Sequence, residues 1–266
     1  MEYHRLEGLM KKYFAVSDVH SFYSSWMHSL KEKGFERLNP DHYVIICGDL
    51  FDRGNNSLKC LNFVTDLAKE NRLIYVRGNH EDLLSTCVSE LKRSYDVSRH
   101  HITNGTIKTI AHLVGVTDYD IICRCFDWKV FDKKMNDVLS FIDDNSVDYF
   151  ELGDTIFVHG WVPTTTDEEG NEIIHANFRD GGWKEARWAN GMAQWRKKLI
   201  PEGKTVVCGH WHTSYGWSNI DRICSEWDAD AVFDTYIKPG IVALDACTAH
   251  TGKINCVVFN EKGKMI

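Results

Sequence analysis

Five times along this chain a short apolar run, rich in β-branched and aromatic residues, stops abruptly at a cluster of polar residues able to bind metal or move protons. The runs cover residues 13–16, 43–47, 73–76, 155–158 and 205–208, and 241–244 and 256–259 add two more. Runs this short, bounded by Gly, Asp and Asn, read as buried strands. Between the early ones, residues 21–33 and 57–70 place apolar side chains at helical spacing. Strand–helix–strand alternation predicts an α/β fold with helices packed on the sheet faces. In such folds ligands sit beyond the carboxyl ends of the strands, so the five polar clusters are expected to converge.

The remaining chain supports one elaborated domain over 1–266. About 83–144 carries few strand signals and reads as a helical insert; 162–201 reads as loops with a helix near 184–199. No linker or internal repeat interrupts it. Of 266 residues, 43% are apolar and 26% charged, enough apolar material for a sizeable core. The formal net charge of −7 argues against a protein that coats nucleic acid, which requires an excess of basic residues. No run approaches the ~20 apolar residues of a membrane span, and the first twenty residues lack a signal segment's apolar middle. The nine cysteines are scattered singly, so a disulfide scaffold is disfavoured and a cytoplasmic location is expected. Cys123 and Cys125 do not have the spacing of a zinc knuckle.

The five clusters are Asp18-Val19-His20, Gly48-Asp49-Leu50-Phe51-Asp52-Arg53-Gly54, Arg77-Gly78-Asn79-His80-Glu81, His159-Gly160 and Gly209-His210-Trp211-His212. Asp, Asn and His together offer oxygen and imidazole nitrogen, a mixture suited to Mn, Fe, Zn or Ni rather than to the all-oxygen sites of calcium. Asp18 and His20, two apart, are expected on one side of a strand end, as are His210 and His212. Asp18, His20, Asp49, Asn79, His159, His210 and His212 are too many for one tetrahedral ion; they fit two ions bridged by Asp49. Two ions about 3.5–4 Å apart form the clamp used for in-line displacement at phosphorus.

The order DxH, GDxxDRG, GNHE, HG, GHxH resembles the calcineurin-like metallophosphoesterase superfamily. The longer forms GDLFDRG and RGNHE resemble its phosphoprotein phosphatase branch, especially the short bacterial and bacteriophage lambda-type members. The motifs span Asp18 to His212, most of the chain. The resemblance implies a β-sandwich core flanked by helices and a pair of divalent ions, manganese first among them. Asp18, His20 and Asp49 would hold one ion, and Asp49, Asn79, His159 and His210 the other. A hydroxide bridging them would attack phosphorus without a phosphoenzyme. His80 would protonate the leaving oxygen, with Asp52 setting its orientation, while Arg53 and Arg77 grip the phosphoryl oxygens. Arg187, in KEARWAN, is the candidate for the further arginine that the branch draws from its late loops.

Two departures from the family pattern stand out. Ser21 follows His20 where glycine is usual, and is expected to cap the next helix. The ending GHWH adds His212, expected to complete the first ion's shell. A phosphorylated protein or peptide, dephosphorylated at serine or threonine, is the expected substrate. Diadenosine or other nucleoside polyphosphates are the alternative, since their hydrolases resemble the same branch. Neither a membrane nor a nucleic-acid partner is required. Glu81 reads as an acidic residue at a helix start. His100, His101, His112, His175 and His250 lack motif context. Trp183, Trp188, Trp195, Trp211 and Trp217 read first as packing for a loop-rich layer, or else as a stacking platform near the metals. The acidic stretch 226–230 reads as a solvated loop.

Overall fold

The computed structural model describes residues 10–94 and 97–266; residues 1–9, which include the start of the stretch read for a signal segment, lie outside them. The chain begins β1 (Lys12–Val16), α1 (Tyr23–Glu32), β2 (His42–Cys47), α2 (Ser57–Lys69), β3 (Leu73–Val76) and α3 (Asn79–Arg93). The insert follows as α4 (Arg99–Thr103), α5 (Thr106–Val114), α6 (Asp118–Cys123) and α7 (Trp128–Asn145). Next come β4 (Ser146–Val147), β5 (Phe150–Leu152), β6 (Thr155–Phe157), β7 (Thr164–Thr166) and β8 (Glu172–Ile174). Short helices α8 (Trp183–Ala186) and α9 (Gly191–Arg196) precede β9 (Thr205–Cys208), β10 (Tyr236–Lys238), β11 (Ile241–Ala243), α10 (Thr248–Thr251) and β12 (Cys256–Asn260).

The strands form two five-stranded sheets, ordered β12-β1-β2-β3-β4 and β10-β11-β9-β6-β5. The expected α/β architecture, a sandwich with helices outside, is what is observed. Within each sheet the central strands are parallel, and β12, β10 and β5 pair antiparallel at or near the edges. Alternation along each strand divides the core into three. Ala15, Ile45, Cys47, Phe157, Val207, Val242, Leu244, Val257 and Phe259 fill the space between the sheets. Their neighbours Phe14, Val16, Val44 and Ile46 pack outward against α1, α2 and the insert. Ile156, Val206, Cys208, Ile241 and Ala243 pack outward on the other side beneath the tryptophan-rich loops. Because both faces of each sheet are covered, these strands read as unbroken apolar runs rather than alternating ones.

Sequence reading placed one helix near 184–199; the structure has two short ones, broken at Ala189–Asn190, where the Asn190 side chain caps α9. The β7–β8 hairpin and the edge strands β4, β5 and β10 were not anticipated. They are two or three residues long and carry too little pattern to read. Among the described residues no helix is long and apolar enough to cross a membrane.

Candidate metal centre

The parallel strands deliver the loops after β1, β2, β3, β6 and β9 to one edge of the sandwich. Turn backbone then brings their side chains together. The loop after β1 is bound to the loop after β2 by backbone hydrogen bonds: Asp18 N–H to Gly48 O (3.2 Å), His20 N–H to Asp49 O (3.0 Å) and Ser21 N–H to Leu50 O (2.8 Å). Asp18 and His20 therefore do not share a side through strand alternation, as expected from their spacing. Both lie past the end of β1 with positive φ, 51° and 47°. Two glycines permit the closest approaches. A Cβ on Gly78 would overlap the Asp49 carboxylate and backbone, and one on Gly209 would overlap the Ser17 and Asp18 side chains.

Two donor groups result, His20–Asp49–His80 and Asp49–His159–His210, sharing Asp49. All five side chains are buried except His210, which is partly buried. Asp18 Oδ1 lies 3.8 Å from His20 Nε2, and Asp18 Oδ2 accepts from the His210 backbone N–H at 2.9 Å. Each imidazole is oriented by its far nitrogen. His20 Nδ1–H donates to Phe51 O and His159 Nδ1–H donates to Cys47 O, both at 2.8 Å. That fixes the tautomer with the Nε2 lone pair facing the pocket, the arrangement a metal-binding histidine needs. The His159 Nε2 faces two oxygens, Asn79 Oδ1 at 2.8 Å and Asp49 Oδ1 at 3.3 Å. The Nε2 and the two oxygens need a proton or a metal ion between them. The donor set thus fits divalent cations of the N/O type.

The electrostatics carry the same demand. Burial opposes charging His159, but the Asp49 and Asp18 carboxylates outweigh it and push its pKa up to about 10. Burial also opposes charge on Asp49, yet the surrounding histidines hold its pKa well below the usual carboxylate range. Burial raises Asp18 to about 6, and burial together with repulsion from His159 lowers His210 to about 4.

His80 sits at the first group's edge. Its Nδ1–H donates to Asp52 Oδ2 at 2.7 Å and its Nε2 lies 3.8 Å from Asp49 Oδ2. Burial disfavours its charged form, but Asp49 and the Asp52 bond prevail and raise its pKa. Asp52 Oδ2 also accepts from Thr106 Oγ1 (2.8 Å), and the Asp52 N–H donates to Thr109 Oγ1 (2.9 Å). The helical insert therefore supports this site through α5. Arg53 points its guanidinium at the pocket, Nη1 2.8 Å from His20 Nε2 and Nη2 3.3 Å from His80 Nε2.

Three expected residues have other partners in this structure. Arg77 pairs with Asp82 (2.9 Å) and Asp143 (2.6 Å), and Arg187 pairs with Asp82 (2.6 Å) and with Asp148. The two guanidinium groups thus share Asp82. His212 belongs to neither donor group: its Nδ1 meets Ser214 Oγ at 2.8 Å and its Nε2 lies 3.3 Å from Glu226 Oε1. Ser21 does not cap α1, whose N-cap is Phe22; its hydroxyl bonds Ser57 Oγ at 3.0 Å.

Glu81 does more than favour a helix dipole. Its buried carboxylate accepts from Asp49 N–H (3.0 Å), Leu50 N–H (2.9 Å), Gly78 N–H (2.7 Å) and Tyr75 O–H (2.8 Å). It fastens the Asp49 loop to the Asn79 loop. Thr248 performs a smaller version of this task, donating its hydroxyl to Asp18 O at 2.8 Å.

A calcineurin-like phosphoesterase family model matches residues 11–233, and the chain belongs to that family. Among its relatives, serine/threonine-protein phosphatase 1 of Salmonella typhimurium is 30% identical over 132 residues, covering 47% of this chain and 56% of that protein. The asymmetrical bis(5′-nucleosyl)-tetraphosphatase PrpE of Anoxybacillus flavithermus is 35% identical over 78 residues, covering 27% of this chain and 32% of that protein. The matches thus span 56% and 32% of these two relatives' lengths. A metallophosphoesterase structure from Sphaerobacter thermophilus superposes with a TM-score of 0.49 at 13% identity, covering 97% of this chain and 86% of that one.

Proposed function

We propose that this protein hydrolyses phosphoric esters at a pair of divalent ions, with manganese the first metal to test. The observation that carries the reading is the shared Asp49, flanked by His20 and His80 on one side and His159 and His210 on the other. Asp18, His20 and Asp49 would hold one ion, and Asp49, Asn79, His159 and His210 the second, without His212. Ions held there supply an activated water near neutral pH and neutralise the phosphoryl oxygens. Arg53 binds those oxygens through its two terminal nitrogens, favouring the charge-rich transition state. His80, oriented by Asp52, holds the proton delivered to the leaving oxygen. Arg77 and Arg187 remain candidates for contact with the substrate, held in this structure by Asp82, Asp143 and Asp148. Treating the chain as one domain is supported by ligands arriving from both sheets at one edge.

For the substrate, the motifs GDLFDRG and RGNHE and the Salmonella relative support phosphoserine or phosphothreonine in proteins. A second reading, nucleoside polyphosphates, is supported by the PrpE relative and by two exposed indoles beside His210. The deciding experiment gives manganese-loaded protein a phosphopeptide, diadenosine tetraphosphate and p-nitrophenyl phosphate side by side. Phosphate from one of the two monoesters, or mononucleotides from the dinucleotide, is expected; hydrolysis of none of the three, with metal bound, would overturn the hydrolase reading.

A further inference from the structure

The late tryptophans do not act as one cluster. Trp183 is buried and stacks on Tyr149 at 4.9 Å. Trp195 donates its indole N–H to Pro239 O, and Trp217 donates to Asp234 O while packing on Tyr236. Those three are held in the framework. Trp188 and Trp211 differ: they remain 47% and 37% exposed, and both lie against His210, with ring centroids 5.8 Å and 6.2 Å away. Both are also fixed in place. The Trp188 backbone N–H donates to Glu185 O at 3.0 Å. His212 lies nearly parallel to Trp211, 25° between planes, and is itself pinned by Ser214 and Glu226. This gives the GHWH ending a use other than metal binding: its second histidine backs the indole between the two.

We propose that Trp188 and Trp211 form a platform that stacks the base of a nucleoside phosphate whose phosphoryl group lies at the Asp49 cluster. The proposal rests on the phosphoesterase reading and narrows its substrate. The separation favours a nucleotide. Both indoles sit about one imidazole's width from the metal donors, and a ribose supplies that offset between phosphorus and a planar base. An aryl ester places its ring directly on the phosphoryl oxygen, without that spacer. A phosphoserine brings no ring at all. Stacking suits any base, since each has a π-face, so the platform selects nucleotides as a class.

The test uses Trp188→Ala, Trp211→Ala and the conservative Trp211→Phe in the manganese-loaded full chain. For each, kcat/KM with diadenosine tetraphosphate is divided by kcat/KM with glycerol phosphate. The two alanine variants should lower this ratio about five- to a hundredfold, chiefly through KM, with Trp211→Phe retaining most of it. A direct readout accompanies turnover: AMP should quench tryptophan fluorescence of the wild type and shift to weaker binding in both alanine variants, whereas ribose 5-phosphate should not quench. An unchanged ratio and unchanged AMP binding would overturn the platform while leaving the hydrolase reading intact. A ratio that falls for a phosphopeptide rather than the dinucleotide would also overturn it. Failure to hydrolyse either substrate would instead contradict the hydrolase reading, and the AMP titration would still decide the platform.

Discussion

Asp18, His20, Asp49, Asp52, Arg53 and His210 all hold positive φ, a conformation that side chains other than glycine rarely adopt. Each such residue costs about 1–3 kcal/mol, and their concentration in one pocket marks strain kept for function. The compensation is visible in Glu81, whose carboxylate gathers four donors. Replacing Glu81 by Gln sets an amide against buried N–H groups. The variant should lose about 2–4 kcal/mol of stability in urea melts and bind metal more weakly, even though Glu81 belongs to neither donor group. The sequence offered only one signal for this role, an acidic residue inside GNHE, because four partners from three segments cannot be read from spacing. His80 belongs to the same scale. His80→Asn should keep its metal content and lower kcat about 10²- to 10⁴-fold on an alkyl phosphate. The loss should be smaller on p-nitrophenyl phosphate, whose leaving group needs no proton. Equal losses on both would argue against a proton-donor role.

At the scale of elements, the parallel strands were legible because burial on both sheet faces leaves continuous apolar runs, and α1 and α2 because apolar residues recur at helical spacing. The short edge strands were not, since two or three residues carry no period. The support of Asp52 by α5 was equally hidden: Thr106 and Thr109 look like ordinary helix residues until the insert folds back onto the site. Thr106→Val, which keeps the shape and removes the donor, should reduce kcat several-fold with KM little changed. If activity is untouched, the insert does not reach the chemistry. Strand β2 gives a pH test away from the metals. His42 is buried against Phe14 and Phe35, and burial, with Lys12 and Arg72 nearby, lowers its pKa below the ordinary 6.5. The unfolded chain therefore takes up this proton first. Its contribution to stability is present above pH 6.5 and is lost as pH falls towards the lowered folded value. The urea midpoint should drop between about pH 7 and pH 5, and His42→Gln should flatten that drop.

Across the whole molecule, two sheets bring their carboxyl-end loops to one edge, and residues as distant in sequence as Asp18 and His210 meet there. The candidate site was largely legible because five motif-bearing loops each follow a readable strand. What the sequence could not convey was rotation of the last loop: GHWH has the spacing of paired ligands, yet His212 turns to Glu226. The sharing of Asp82 by Arg77 and Arg187 was hidden for a similar reason, since it joins distant segments. The buried carboxylates of Asp18 and Asp49, faced by imidazoles from separate loops, make cation binding the central claim. Its most direct measurement is metal content by elemental analysis of the chelated and then manganese-reloaded protein, wild type beside Asp49→Asn. The account predicts two ions per wild-type chain, and fewer than one in the variant because the bridging carboxylate is gone. A wild type that takes up no ion, or a variant that keeps both, would contradict it.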